Sequence, residues 1–116
     1  MKQKKKKQVI KKRKDFRYHK TNFISKKGKR LSIRHPAYVF YEKGNVFIFI
    51  LLTHSSDVKD KIVIMLKKNP NPKDKRDSYR IKGFYEDTKD NFGHRQKGWK
   101  MSNEDDIEIR DEYKKR

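Results

Sequence analysis

Two short stretches of the chain carry side chains that could act on a phosphodiester. Arg34 and His35 precede a β-rich run, and Thr53, His54 and Ser55 end a long apolar one. Cleavage of RNA by its own 2′-hydroxyl needs a base for that hydroxyl, a cation beside the phosphorane and an acid for the leaving oxygen. The two stretches supply a guanidinium, two imidazoles and two hydroxyls, so these five residues are the candidate catalytic groups.

A β-hairpin is predicted to bring the two stretches together. The runs AYVFYE at 37–42 and VFIFILLT at 46–53 are separated by a turn that contains Gly44 and Asn45. In an antiparallel hairpin, the start of the first strand lies beside the end of the second. The candidate groups are therefore expected to be neighbours. The structural alternative is that both stretches are ordinary strand boundaries and that Thr53 caps a backbone group.

The remaining sequence predicts short strands and long loops. Residues 61–66 and 78–86 have strand-like patterns, whereas the two Asn-Pro steps in 67–78 indicate a loop. The run at 46–53 is apolar at both parities, which predicts burial on both faces, as at the centre of a barrel or in a sheet covered by a helix.

One helix is predicted at the C-terminal end. Ser102 can cap it, and Ile109 and Tyr113 would share the face that lies on the sheet. The fold class is therefore mainly β, or α+β. We expect a small, strongly bent antiparallel sheet or an SH3-like barrel with one C-terminal helix. Residues 31–116 would form this single domain, after a basic arm at 1–30.

The positive charge is concentrated in the arm. The chain has a net charge of +19, and 42% of its residues are charged. Residues 1–30 carry +14 of this excess and residues 31–116 carry +5. Such a block is expected to be flexible, or to order on a polyanion. Alternatively, Phe16, Tyr18 and Phe23 mark a first strand that docks on the core, or aromatic rings that stack on bases.

Nucleic acid, whether RNA or DNA, is the predicted partner, because neutralising phosphates releases condensed counterions. The strand near residue 80 is expected to be half-buried, with Arg80 and Lys82 on a cationic outer face. Trp99, Tyr79 and Phe84 are stacking candidates that could equally belong to the core. The predicted phosphate-binding residues are Lys4, Lys5, Lys6, Lys7, Lys11, Lys12, Arg13, Lys14, Arg17, Lys67, Lys68, Lys73, Lys75, Arg76, Arg80 and Lys82.

Several other classes of function find no support in the sequence. The four histidines lack metal-ligand spacing, and there is neither cysteine nor a glycine-rich phosphate loop, so no metal and no cofactor are expected. The longest apolar run is too short to span a bilayer, and no signal-peptide pattern follows the lysines. We expect a soluble cytoplasmic protein, associated with the nucleoid or the ribosome, or a nuclear one if the source is a eukaryote.

The stretch from Arg34 to Ser56, RHPAYVF followed by VFIFILLTHSS, resembles the core of the MazF/PemK-type toxins and the related ToxN-like ribonucleases. The resemblance covers about a fifth of the chain. It implies an SH3-like barrel, metal-independent endoribonuclease activity and an acidic antitoxin-like protein as partner. Thr53 would match the hydroxyl at the strand end, with Ser55 close by, and Arg34 the basic residue before the strand.

Three functions therefore compete. The first is a nucleic-acid-binding module without catalysis, which acts through phosphate contacts. The second is a metal-independent toxin-type endoribonuclease that uses Arg34, His35, Thr53, His54 and Ser55. The third is an interaction protein that docks on an acidic protein or an anionic membrane surface. All three share one basic surface, so charge alone does not separate them, and no oligomeric state is predicted.

Overall fold

The computed structural model describes residues 9–20, 26–28 and 34–116, and within them the chain forms an antiparallel sheet with one helix. Lys4–Lys7 and Phe23 lie outside the described residues. The elements, in chain order, are β1 (Ile10–Lys20), β2 (Arg34–Lys43), β3 (Val46–Thr53), β4 (Val63–Met65), β5 (Tyr79–Ile81), β6 (Tyr85–Thr88), a 3₁₀ turn (Lys89–Asn91) and α1 (Asn103–Lys114). The mainly β prediction with one C-terminal helix is confirmed.

The strands are arranged as one open sheet. Its order is β1-β2-β3-β5-β4, and β6 also pairs with β3. Because the sheet does not close, the fold corresponds to the open-sheet alternative rather than to a barrel. Within the described part of the chain, no helix is long and apolar enough to cross a membrane.

The predicted hairpin is confirmed as β2 and β3. Lys43 pairs with Val46 across a two-residue turn, where Gly44 adopts a φ of 57° that favours glycine. Alternate residues of β3 enter two apolar clusters on opposite faces of the sheet. The predicted burial of both faces of this strand is therefore confirmed.

The helix α1 covers one face of the sheet. The Ser102 hydroxyl accepts a hydrogen bond from the Asp105 backbone N–H at 3.1 Å, so it is the predicted N-cap. Ile109 and Tyr113 are buried in the cluster that also contains Phe40. Burial of this stripe against β2 and β3 fixes the helix on the sheet, as predicted.

The first strand comes from the basic arm. β1 pairs antiparallel with β2, and Phe16 lies in the core beside Tyr38 with ring centroids 4.8 Å apart. The chain near Gly93 covers the other edge of β1, because the Gly93 N–H donates to the Tyr18 carbonyl at 2.9 Å. The arm was interpreted either as flexible or as a first strand that docks on the core. At Ile10–Lys20 the structure shows the docked strand.

The predicted strand at 78–86 is two strands. Gly83, with a φ of 132°, separates β5 from β6, and these pair with different halves of β3. The predicted strand at 61–66 is also shorter, since β4 spans only Val63–Met65.

The prediction that Arg80 lies on an exposed cationic face is wrong. Arg80 is 1% exposed, and its guanidinium donates to the two Glu112 carboxylate oxygens at 2.9 and 2.8 Å and to Glu108 at 3.3 Å. The alternation of polar and apolar residues in β5 suggested a solvent face, but α1 covers that face and supplies two carboxylates. Arg80 is consequently a structural residue of the sheet–helix interface.

Candidate nucleic-acid interface

The ends of β2 and β3 meet at a cleft of about 370 Å³, here called the strand-end cleft. All five candidate catalytic residues line it. It is also lined by Tyr18 of β1 and by Arg76 of the loop at 67–78. The convergence follows from the hairpin, in which Ala37 near the start of β2 pairs with Leu51 near the end of β3. Arg34 and Arg76 are both exposed, so the cleft has a cationic rim.

The two hydroxyls of the cleft close the turn after β3. Thr53 is 5% exposed, and its Oγ1 accepts a hydrogen bond from the Ser55 N–H at 3.1 Å. The Ser55 Oγ in turn accepts from the Asp57 N–H at 3.0 Å. Thr53 therefore performs the backbone capping that the sequence left open as an alternative, and Ser55 caps the N–H two residues further on. Each hydroxyl keeps its own proton to donate.

His54 connects the strand end to the loop at 67–78. Its Nδ1 lies 3.1 Å from the Asp77 carbonyl oxygen, and its Nε2 lies 3.1 Å from Asp74 Oδ2. Each ring nitrogen therefore already faces an acceptor of the loop. Neither ring nitrogen is left to take a proton from a substrate. His54 therefore positions the loop and is poorly placed to act as a general base.

Asp74 is the centre of this connection. Its two oxygens accept from the Arg76 side chain at 3.0 and 2.8 Å and from the Arg76 N–H at 3.0 Å. These hydrogen bonds, together with the charges of Arg76 and His54, hold the pKa of the Asp74 carboxyl well below its usual range. The carboxylate thus stays ionised and keeps the loop attached to β3.

His35 differs from His54 in its surroundings. It is 4% exposed, and desolvation lowers the pKa of its imidazole below the usual value. The ring is consequently neutral near pH 7, the state in which an imidazole can accept a proton. His35 is the candidate base that the geometry retains, although its burial limits access to it.

A second, smaller pocket opens from the strand-end cleft. Its volume is about 150 Å³, and we call it the Trp99 pocket. The two share Tyr18, Thr53, His54 and Arg76, so they are parts of one depression. Trp99 is half-buried, with its ring centroid 5.6 Å from Phe16 and 6.1 Å from Tyr18.

The depression continues along the loop at 67–78. A cleft of about 320 Å³ there is lined by Lys67, Lys68 and Lys75, and it shares Asn69, Asn71, Asp74, Arg76 and Ser78 with the Trp99 pocket. The strand-end cleft, the Trp99 pocket and this loop cleft together form what we call the groove. It combines exposed cations with half-buried aromatic rings.

The predicted phosphate-binding residues fall into four groups. Arg80 is buried, and Lys4–Lys7 are outside the described residues. Arg13 and Arg17 are half-buried beside Asp15, with their guanidinium carbons 5.8 and 5.2 Å from the Phe47 ring centroid. The exposed members are Lys11, Lys12, Lys14, Lys67, Lys68, Lys73, Lys75, Arg76 and Lys82.

Of the three stacking candidates, one lines the groove and two do not. Phe84 packs against the helix-side cluster, and Tyr79 is half-buried in β5 and absent from the groove lining, which leaves Trp99. Tyr18, which the sequence offered as a ring that could stack on bases, lines the groove, and so does Asn71, which the sequence did not single out. The Asn-Pro steps indicated a loop and gave no sign that its amides face a pocket.

Among the described residues, no group of three or more His, Asp or Glu side chains could hold a metal ion.

Comparison with known proteins assigns the chain to no family. No protein-family model matches the chain, and no curated protein or solved structure matches it significantly.

Proposed function

We propose that the protein binds nucleic acid, without cleaving it, by laying the phosphate backbone along the groove. The observation that carries this proposal is that Arg34 and Arg76 line the same opening as Tyr18, with Trp99 in the adjoining pocket. A cationic groove with aromatic rings is the combination with which proteins hold a nucleic-acid strand. The net charge of +19 supplies the long-range attraction.

The state of the candidate catalytic groups favours binding over chemistry. Thr53 and Ser55 cap backbone N–H groups, and both nitrogens of His54 face acceptors. Burial lowers the pKa of His35, and the same burial limits access to it. The same groups are well suited to hold the groove in one shape. The protein would act in the cytoplasm, on nucleic acid of the nucleoid or the ribosome.

Salt-dependent binding tests this proposal. Fluorescence anisotropy with a short labelled RNA, and separately with DNA, would give the affinity between about 50 and 200 mM salt. The double variant Arg34→Gln/Arg76→Gln should bind more weakly and lower the salt slope by about two. The matched control is Lys43→Gln/Lys114→Gln, which removes two exposed charges at the β2–β3 turn and the end of α1. Equal slopes for the two double variants would refute the groove as the binding surface.

The competing partner is an acidic protein or an anionic membrane. Vesicles that contain anionic lipid, added at equal charge, should displace bound RNA poorly if the groove recognises nucleic acid. If the vesicles displace the RNA as effectively as unlabelled RNA does, the result would instead favour a surface that recognises charge alone.

A metal-independent endoribonuclease is the second candidate, and the convergence of Arg34, His35, Thr53, His54 and Ser55 on one cleft favours it. Its test is incubation of varied RNAs with the protein in EDTA. A ribonuclease would cleave under these conditions, and Thr53→Ala would abolish cleavage while Thr88→Ala, at the end of β6, would not. Intact RNA after long incubation would exclude this candidate and leave the binding proposal in place.

A further inference from the structure

The strand β4 lies at the end of the sheet beyond β5, and no other described strand pairs with its far edge. A backbone hydrogen bond just before β4 shows which of its groups face outward, because the Lys82 N–H donates to the Ile62 carbonyl at 2.8 Å. Hydrogen-bonded and non-bonded pairs alternate along an antiparallel ladder. Val63 and Met65 therefore direct their N–H and C=O groups away from β5, toward the open edge.

The open edge of β4 is also apolar. Ile62 and Met65 are 65% and 58% exposed, and Val63 and Ile64 between them are half-buried. The opposite edge of the sheet, at β1, is instead covered by the chain near Gly93. An exposed edge that combines unpaired backbone groups with apolar side chains is a template for pairing with another extended chain.

Lysines flank this edge at both ends. Lys59 and Lys61 precede β4, Lys67 and Lys68 follow it, and all four side chains are exposed. Asp60 is the acidic residue among them, so the surroundings of the edge stay positive. A strand that pairs here therefore meets apolar side chains along its middle and cations at its two ends.

We propose that the edge of β4 binds an extended segment of another protein, with apolar residues in its middle and Asp or Glu at both ends. The backbone of this segment would pair with the outward groups of Val63 and Met65, which provides affinity, and its carboxylates would lie against the flanking lysines, which provides selectivity. The inference does not rest on the proposed function, because Val63, Met65 and Lys61 do not line the groove.

A second copy of this chain fits the edge less well than an acidic segment does. In the two-fold arrangement that places Val63 of each copy opposite Met65 of the other, Lys61 of each copy lies opposite Lys67 of the other. Like charges that face each other across paired strands are destabilising. An acidic segment places a carboxylate at each of these positions instead.

The probe is a blocked, fluorescently labelled peptide with valines in its middle and glutamates at both ends. A control peptide of equal charge carries proline in place of alternate valines, so it cannot complete the backbone ladder. Anisotropy should show that the valine peptide binds at least about tenfold more tightly than the proline peptide, because backbone hydrogen bonds are lost in the control. Hydrogen exchange of the Val63 and Met65 amides should slow when the valine peptide binds.

Two variants at one position isolate the contribution of the backbone. Met65→Pro removes an outward N–H and leaves the hydrogen bonds to β5 in place, since proline is tolerated where the N–H of an edge strand faces solvent. It should weaken binding of the valine peptide by about tenfold, whereas Met65→Val keeps the N–H and should bind like the wild type. Circular dichroism would verify that both variants fold.

Charge is tested separately from backbone pairing. Lys61→Gln should weaken binding of the valine peptide and reduce its dependence on salt, because one of the flanking cations is removed. Equal affinity for the valine and proline peptides would show that the surface recognises charge alone, and this overturns the proposal, as does the absence of binding. A wild-type dimer in sedimentation equilibrium that Met65→Pro converts to a monomer would assign the edge to a second copy and also overturns it.

Discussion

Two arginines of this molecule, Arg110 at the sheet–helix interface and Arg76 at the groove, have opposite environments. Arg110 is 7% exposed; its Nε lies 3.0 Å from both oxygens of Asp106, and its two terminal nitrogens donate to the Phe40 and Arg13 carbonyls at 2.9 and 2.7 Å. Arg76, in contrast, has a side chain that is 70% exposed at the groove. Arginine is thus saturated with buried acceptors at the sheet–helix interface, whereas Arg76 pairs with one carboxylate, Asp74, and stays exposed to solvent at the groove.

This difference shows how a chain with a large positive excess folds. The acidic residues nearest the core neutralise buried cations: Asp106 pairs with Arg110, and Glu112 pairs with Arg80. Asp106 also accepts a hydrogen bond from the neutral Tyr38 hydroxyl. Burying a guanidinium is tolerable only when it is paired and hydrogen-bonded. The unneutralised excess is left at the surface, and the groove is the depression around which several of these cations lie.

The largest predicted effect is on stability, at the buried arginine Arg110. Arg110→Met leaves Asp106 buried without its cation and removes the guanidinium donors of the Phe40 and Arg13 carbonyls. We expect the free energy of unfolding to fall by about 3–5 kcal/mol. Urea unfolding measures it, and Arg76→Met serves as the control, with little expected change because that side chain is exposed. Similar losses in both variants would contradict the assignment of separate roles.

The groove is tested by removing its lysines. Lys67→Gln and Lys68→Gln should each lower the slope of log affinity against log salt by about one, because each removes a phosphate contact. Unfolding in urea should be almost unchanged, since both side chains are exposed. Lys59→Gln, in the loop after β3, is the control and should leave the slope unaltered.

The helix cap gives a smaller effect on stability. The Ser102 Oγ donates to Asp105 Oδ2 at 2.6 Å as well as accepting from its N–H, and the same Asp105 oxygen accepts from the Lys67 N–H at 2.9 Å. Ser102→Ala should therefore lower the free energy of unfolding by about 1 kcal/mol. The neighbouring exposed position gives the control, since Asn103→Ala should have little effect. A neutral Ser102→Ala would contradict the cap.

Acidification gives the most localised effect. The folded-state pKa of His35 is lowered by desolvation, so the unfolded chain binds more protons between that value and the unfolded value of about 6.5. Stability contributed by neutral His35 is therefore present above pH 6.5 and is lost as the pH falls through the folded pKa. His35→Gln should flatten this part of the profile of unfolding free energy against pH. An unchanged profile would show that the ring is accessible to solvent.

The features that the sequence predicted correctly, the hairpin and the helix, depend on residues that are close together in the chain. The β2–β3 hairpin follows from its turn and from the apolar pattern of Val46–Thr53, and it alone brings Arg34 to the same cleft as Thr53. The helix follows from Ser102 and from the spacing of Ile109 and Tyr113. Each of these signals lies within one or two adjacent elements, where periodicity and turn chemistry are informative.

Features that depend on distant contacts were not predictable. Arg80 looked exposed because its neighbours alternate, and only the docking of α1 places Glu112 against it. The lysines of β1 suggested a flexible arm, whereas Phe16 fills a space between Tyr38 and Trp99. The Trp99 pocket likewise joins a residue near the helix to a loop some 30 positions earlier.

The location of the bound strand tests the central claim most directly. Lysine acetylation, read by mass spectrometry with and without RNA, compares every lysine in one experiment. The ten residues of β2, at about 3.3 Å each, separate the groove end of the hairpin from the turn at Lys43 by roughly 30 Å. We predict protection of Lys67, Lys68 and Lys75 and no protection of Lys43 or Lys114. Protection of Lys43 and Lys114 with Lys67 and Lys68 still reactive would contradict binding in the groove.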